Sequence, residues 1–184
     1  MAAEQASRGV AERALTFLAA LLAETGGAPE ATQIALYASL PGELDCLPLL
    51  EALAAKDFPT LLPVAGAKAT PLTFHLWRPG ERLVAGRFGL REPASSAPEM
   101  SPSIIFAPLL GFDADGGRLG FGGGYYDATL AHLRSAGPLL AGGLAFSCQQ
   151  AERIPREKHD ERLDFVITED RVFRFPALSA SLDP

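Results

Sequence analysis

Cysteine is nearly missing from this 184-residue chain, which holds only Cys46 and Cys148. Two such distant cysteines make neither a zinc spacing nor a disulfide framework. Each reads as a small buried hydrophobe; one disulfide between them stays open, but nothing else points to an oxidising compartment. Positive charge is also short: 16 Lys and Arg face 22 Asp and Glu, for a formal net charge of −6. With no basic stripe interleaved with aromatics, this excludes nonspecific nucleic-acid binding. Long hydrophobic runs are lacking too. The longest candidate, Ala14-Leu-Thr-Phe-Leu-Ala-Ala-Leu-Leu-Ala23, is too short to span a bilayer. Glu4 and Glu12 offset Arg8 and Arg13, so the run has no positive leader of the kind a signal peptide needs. Leu15, Leu18 and Leu22, joined by Phe17 and Leu21, fall on one broad helical face. We read a packed first helix in a cytoplasmic protein that does not engage membranes. Internal repeats, low-complexity segments, the Walker pattern and the dinucleotide G-x-G-x-x-G are all absent.

What is present is an ordinary globular composition, 48% hydrophobic and 21% charged, long enough for one good core. The elements alternate. Ile34–Leu40 and Thr60–Val64 read as buried strands, with a helix over about 47–55 between them. Pro71–Trp77 alternates as an edge strand. Residues 78–103 are rich in Gly and Pro, and a long irregular stretch of this kind is usually functional. Strands follow at Ile104–Ala107, Leu139–Ser147 and Leu163–Thr168, with a helix from Asp127 to Ser135 and a short edge strand over 171–175. This pattern predicts a single three-layer α/β/α domain over residues 1–184, with a mostly parallel sheet. Residues 1–11 are a candidate disordered start. Ligands of such sheets sit beyond the carboxyl ends of the strands. The loops carrying Glu43, Arg118–Asp127 and His159–Asp160 all follow predicted strands, which predicts their convergence on one edge.

The most informative stretch is Gly116-Gly-Arg-Leu-Gly-Phe-Gly-Gly-Gly-Tyr-Tyr-Asp127. An apolar strand leads in and a helix leads out. Glycines permit positive φ and close backbone approach, and the orphan amides of a helix start favour anions. Arg118 adds a planar fork suited to phosphate, and Asp127 a carboxylate suited to magnesium. A glycine cluster between strand and helix also serves as a plain tight turn. Composition alone does not separate the two readings. The Arg, the paired Tyr and the Asp at fixed offsets favour phosphate binding.

Together with Tyr37-Ala-Ser-Leu-Pro-Gly-Glu-Leu-Asp45, Gly89-Leu-Arg-Glu-Pro93, Ile154-Pro-Arg-Glu-Lys-His-Asp160, Arg162-Leu-Asp164 and Thr168, that stretch resembles the 5-formyltetrahydrofolate cyclo-ligase family over roughly residues 12–170. The resemblance implies an ATP- and magnesium-dependent ligase of one-carbon metabolism, here expected as a monomer. In that reaction the formyl oxygen of 5-formyltetrahydrofolate attacks the γ-phosphate of ATP. N10 then closes on the activated carbon, and phosphate leaves to give 5,10-methenyltetrahydrofolate. The resemblance places ATP against Arg118, Leu119, Gly120, Phe121, Gly122, Gly123, Gly124, Tyr125 and Tyr126. It places folate against Glu43, Phe88, Phe121, Gly122, Gly123, Gly124 and Tyr125, and magnesium on Asp127 and Asp160. Arg118 and Tyr125 would stand at the reacting atoms.

Plainer roles stand beside these. Glu43 could cap the next helix, and Phe88 could be core. Asp160 could pair with Arg162 or Lys158, and Asp127 could be the favourable acid of a helix start. His159 reads as a loop histidine, and His75 and His132 as filler. The family usually opens on a basic Lys-x-x-Leu-Arg helix, whereas no Lys here precedes Lys56. A folate- or nucleotide-binding relative that has lost cyclo-ligase activity is therefore the second reading. A sugar-phosphate enzyme is a third, resting on fold analogy alone.

Overall fold

A computed structural model of the protein describes residues 2–175. In chain order it comprises α1 (Ala2–Thr25), β1 (Ile34–Ala35), α2 (Leu47–Ala54), β2 (Thr60–Val64), β3 (Thr73–Leu76), β4 (Val84–Ala85), β5 (Arg91–Glu92), β6 (Ile104–Ala107), β7 (Gly111–Phe112), β8 (Arg118–Leu119), α3 (Tyr125–Ala136), β9 (Leu140–Leu144), β10 (Phe165–Ile167) and β11 (Val172–Arg174). Seven strands form one sheet in the order β11-β10-β9-β6-β1-β2-β3. Its interior pairs are parallel, and the edge strands β3 and β11 run antiparallel to their neighbours.

The sheet is buried on both faces, so its strands are apolar at successive positions. Ile104 and Phe106 point to one face of β6, and Ile105 and Ala107 to the other. Leu62 and Leu61 of β2 divide in the same way, as do Ile167 and Val166 of β10. Val10, Ala14, Phe17, Leu18 and Leu21 of α1 and Leu49, Leu50 and Leu53 of α2 fill the first face. Leu130 of α3 anchors the second, with Tyr125, Tyr126 and Leu133 packed against it. The three-layer α/β/α expectation holds.

Several boundaries differ from the sequence reading, each for a local reason. Residues 2–11, a candidate disordered start, are helical. Val10 is fully buried there, and Ser7 Oγ accepts the Asp45 N–H at 3.2 Å, tying the helix opening to the loop after β1. Arg13 pins the same helix to the sheet, donating to the carbonyls of Thr168 (3.1 Å) and Glu169 (2.9 Å). The strand expected over Ile34–Leu40 stops at Ala35, because the chain leaves the ladder after the Leu36 N–H bonds Leu61 O. The Gly116–Asp127 stretch is not a bare loop: β7 and β8 pair as an antiparallel hairpin before the glycines. α3 begins at Tyr125, so both tyrosines sit in its first turn. Residues 78–103 contain a small antiparallel pair, β4 with β5. Among the described residues, no helix is long and apolar enough to cross a membrane.

Connectivity sets where a ligand can lie. From β1 the chain moves to β2 on one side, then returns to β6 on the other and continues outward to β9 and β10. The loops leaving β1 and β6 therefore diverge and open a crevice at the carboxyl ends of these strands, the usual ligand position in such sheets.

Packing is tight at Gly142, where an added Cβ would overlap the Phe165 ring of the neighbouring strand. Gly142→Ala should lower unfolding free energy by about 1–3 kcal/mol in urea titrations, the usual range for overpacking. Gly137→Ala, where a Cβ meets nothing, should stay within about 0.5 kcal/mol of the parent.

Candidate active site

Arg118 is the centre of this crevice. It leaves β8 with its side chain only 5% exposed, and its Nη2 donates to both Asp127 carboxylate oxygens at 3.0 Å. Its Nε and Nη1 are buried with no hydrogen-bond partner. A buried guanidinium normally satisfies its donors, because each lost bond costs about 1–3 kcal/mol. The guanidinium carbon also lies 5.5 Å from the centroid of the Tyr126 ring. The site thus presents two unused N–H donors beside an already neutralised carboxylate. That geometry suits an anionic oxygen.

The glycine segment brings backbone to the same place. Gly122 and Gly124 have φ of +76° and +70°, which only glycine adopts without strain, and Gly124 caps α3. A Cβ on Gly123 would sit 3.0 Å from the Tyr125 ring, and Gly120 borders open space. Leu119 is exposed in β8, and Phe121 between the glycines is 59% exposed. These apolar side chains border the segment without belonging to the core. With no side chain capping α3, the first-turn amide of Tyr126 has no intrahelical acceptor.

The loop after β1 supplies the other wall. Glu43 does not cap α2; its Oε2 accepts the Leu40 N–H at 2.7 Å. Burial raises the Glu43 carboxyl above its ordinary range, against the pull of that N–H. Behind it, Tyr37 and Cys46 are buried, and desolvation lifts the Cys46 thiol to about 12. Tyr126 is likewise held above its usual value, first by burial, with Arg118 pulling it back and Cys46 and Glu43 pushing it up. These mutual influences place the loop of Glu43 and the start of α3 in one electrostatic neighbourhood. The Phe88 side chain lies outside the described residues.

The third loop joins β9 to β10. Asp160 pairs with neither Arg162 nor Lys158. Its Oδ2 accepts the Glu157 N–H at 2.7 Å, and its Oδ1 lies 3.8 Å from Nε2 of His159. The next residue, Glu161, gives its N–H to Asp127 Oδ1 at 3.1 Å. The first turn of α3, carrying Asp127, therefore meets the loop of Asp160, although Asp127 already serves Arg118. Among the described residues, no three His, Cys, Asp or Glu side chains gather into a metal cluster. Magnesium asks for less, since one or two carboxylates plus phosphate oxygens suffice. Asp127 in the first turn of α3 and Asp160 on the loop it touches are hard carboxylates of the kind that would hold it.

Sequence reasoning missed Asp113. It is 2% exposed and accepts the N–H groups of Asp115 (3.0 Å), Gly117 (2.7 Å) and Ile154 (2.9 Å). It ties the β7–β8 turn to the β9–β10 loop. The available signal was Asp113-Ala-Asp-Gly-Gly117, a side-chain-closed turn sequence. Cys148 differs from expectation in being exposed; both cysteines are free.

The profile of the 5-formyltetrahydrofolate cyclo-ligase family matches residues 2–169. The chain is 31% identical over 179 residues to the 5-formyltetrahydrofolate cyclo-ligase of Escherichia coli, covering 94% of this chain and 92% of that protein. It is 35% identical over 140 residues to the Haemophilus influenzae enzyme of the same name, covering 71% and 72%. The solution structure of Aquifex aeolicus 5,10-methenyltetrahydrofolate synthetase superposes with a TM-score of 0.68 at 29% identity, over 92% of this chain and 82% of that one.

Asp113 also generates a prediction. Burial alone would raise its carboxyl, but the N–H groups of Ile154, Gly117 and Asp115, with Arg156 nearby, hold it below the ordinary range. A depressed carboxyl stabilises the fold above its unfolded pKa, about 3.9, and this is lost as pH falls through the folded value. Asp113→Asn should therefore be less stable than the parent at pH 7. The gap in melting temperature should narrow as pH drops below about 4.

Proposed function

The chain belongs to the 5-formyltetrahydrofolate cyclo-ligase family, and from that premise we propose that it closes 5-formyltetrahydrofolate to 5,10-methenyltetrahydrofolate at the expense of ATP, with magnesium. The observation carrying this reading is the buried Arg118 with two unpartnered N–H donors. Such a group is built to receive phosphate oxygens.

An amide oxygen leaves poorly, and phosphorylation converts it into phosphate, which leaves well. The formyl oxygen attacks the γ-phosphorus and ADP departs. The N10 lone pair then adds to the activated carbon, N10 loses its proton, and the C–O bond breaks to release phosphate. Little covalent work falls to the protein, which aligns two substrates and neutralises charge. Arg118 donates from Nε and Nη1 to the phosphates, and the backbone of Leu119, Gly120, Gly122, Gly123 and Gly124 approaches closely beside it. The first-turn amide of Tyr126 adds a donor to the same anion, with Tyr125 beside it. Phe121, Tyr125 and Phe88 border the folate, whose pterin N–H groups meet the Glu43 carboxylate. Asp127 and Asp160 would hold magnesium, which offsets negative charge on the phosphate oxygens.

One observation favours the second reading. α1 contains no lysine; Arg8 pairs with Glu4 in solvent, and Arg13 is committed to the carbonyls of Thr168 and Glu169. Losing one charged phosphate contact costs about 1.5–3 kcal/mol, or about tenfold or more in affinity. A chain so weakened could bind folate without turning it over.

Absorbance at the methenyltetrahydrofolate band separates the two. With ATP, magnesium and 5-formyltetrahydrofolate together, product should form, and omitting any one should abolish it. Arg118→Lys keeps the charge beside Asp127 but loses the fork, and should raise the KM for ATP about tenfold or more. Folate binding by calorimetry with no product from the parent chain would instead establish the binding-only relative.

A further inference from the structure

We propose that Arg134 and Glu161 form a clamp that positions Asp160 against the magnesium–nucleotide complex, an inference that rests on the metal role given above to Asp127 and Asp160. Arg134 lies near the end of α3, where a cation is favourable to the helix dipole in any case. Its contacts go further than that. Its guanidinium pairs with Glu161, donates to Asp164 Oδ2 at 2.9 Å, and donates to the Arg162 carbonyl at 2.9 Å. The same Asp164 oxygen accepts the Ala141 N–H of β9 at 2.7 Å, so one end of the clamp is fixed to the sheet. The other end is Glu161, held twice by one helix. Arg134 grips its side chain and Asp127 accepts its backbone N–H at 3.1 Å.

Asp160 is the residue immediately before Glu161. Its carboxylate is oriented by the Glu157 N–H within a tight turn, Asp160 N–H returning to Glu157 O. The turn fixes the carboxylate relative to its own backbone, and the Glu161 grip fixes that backbone relative to α3 and Asp127. Magnesium demands near-octahedral geometry at about 2.0–2.1 Å, so sub-ångström displacement of a ligand is felt. Partners that orient metal-binding residues commonly change metal affinity by about 10- to 100-fold. Arg134 and Glu161 touch neither substrate nor the reacting atoms; they act through Asp160.

The test measures Mn2+ binding by electron paramagnetic resonance on the full chain with ATP and no folate, which reads the site without turnover. The variants are Glu161→Gln, Arg134→Lys and Asp160→Asn, with Leu53→Ala in α2, buried on the opposite face of the sheet, as a destabilised control remote from the loop. The clamp predicts Mn2+ affinity lowered about tenfold in Glu161→Gln and Arg134→Lys, lowered at least as much in Asp160→Asn, and unchanged in Leu53→Ala. It further predicts that excess magnesium restores kcat in Glu161→Gln, leaving the loss in KM for the metal–nucleotide complex. Parent-like affinity in both clamp variants, with loss in Asp160→Asn, overturns the clamp and leaves the metal assignment standing. Parent-like affinity in Asp160→Asn overturns the metal assignment and the clamp with it.

Discussion

The ion pair between Arg118 and Asp127 is the interaction on which the rest of the site depends. It spans two elements that the hydrophobic layers alone would not register: the β7–β8 hairpin and the first turn of α3. With the guanidinium 5% exposed and the carboxylate 19% exposed, neither charge is tolerable without the other, since breaking a buried pair costs about 3–5 kcal/mol. The pair also leaves the arginine half used. One nitrogen holds the fold, and the other two lie buried with no hydrogen-bond partner.

Around that pair the sheet does the placing. Strand order puts the divergence between β1 and β6, so the loop of Glu43 and the glycine segment face each other across the crevice. The loop between β9 and β10 completes the third side through Asp113, whose carboxylate bridges Gly117 and Ile154. Hydrogen bonds to backbone thereby lock the hairpin and the β9–β10 loop into one rim. The chemistry of the family suits such a rim, because it asks for alignment and charge neutralisation more than for a strong base. His159 is exposed and lies near Asp160 and Glu157.

Much of this was legible in the residues. β2 and β6 fall where apolar runs are bounded by turn formers, because burial on both faces leaves nothing but apolar side chains at Leu61, Leu62 and Ile104–Ala107. The site stretch could be read because Gly122 and Gly124 occupy positive φ at fixed offsets from Arg118 and Asp127. Tertiary commitments are what local sequence conceals. The order of residues 2–11 depends on Val10 burial and on Ser7 meeting Asp45, neither visible in a helix-start pattern. The β7–β8 hairpin hides behind its glycines. Arg118 and Asp127 were each expected to serve a ligand, and that they serve each other first follows from burial, which a linear reading does not measure.

The most direct test of Arg118 as the phosphate donor is nitrogen-15 NMR of the arginine Nε–H groups, with the Arg118 signal assigned by its loss in Arg118→Lys. Titration with ATP and magnesium should shift that signal downfield and slow its hydrogen exchange, as expected of a charged donor taken up by phosphate. 5-Formyltetrahydrofolate alone should leave it in place. If ATP binds, by calorimetry on the same sample, and the Arg118 resonance neither moves nor gains protection, the nucleotide sits elsewhere and the account of this site is wrong.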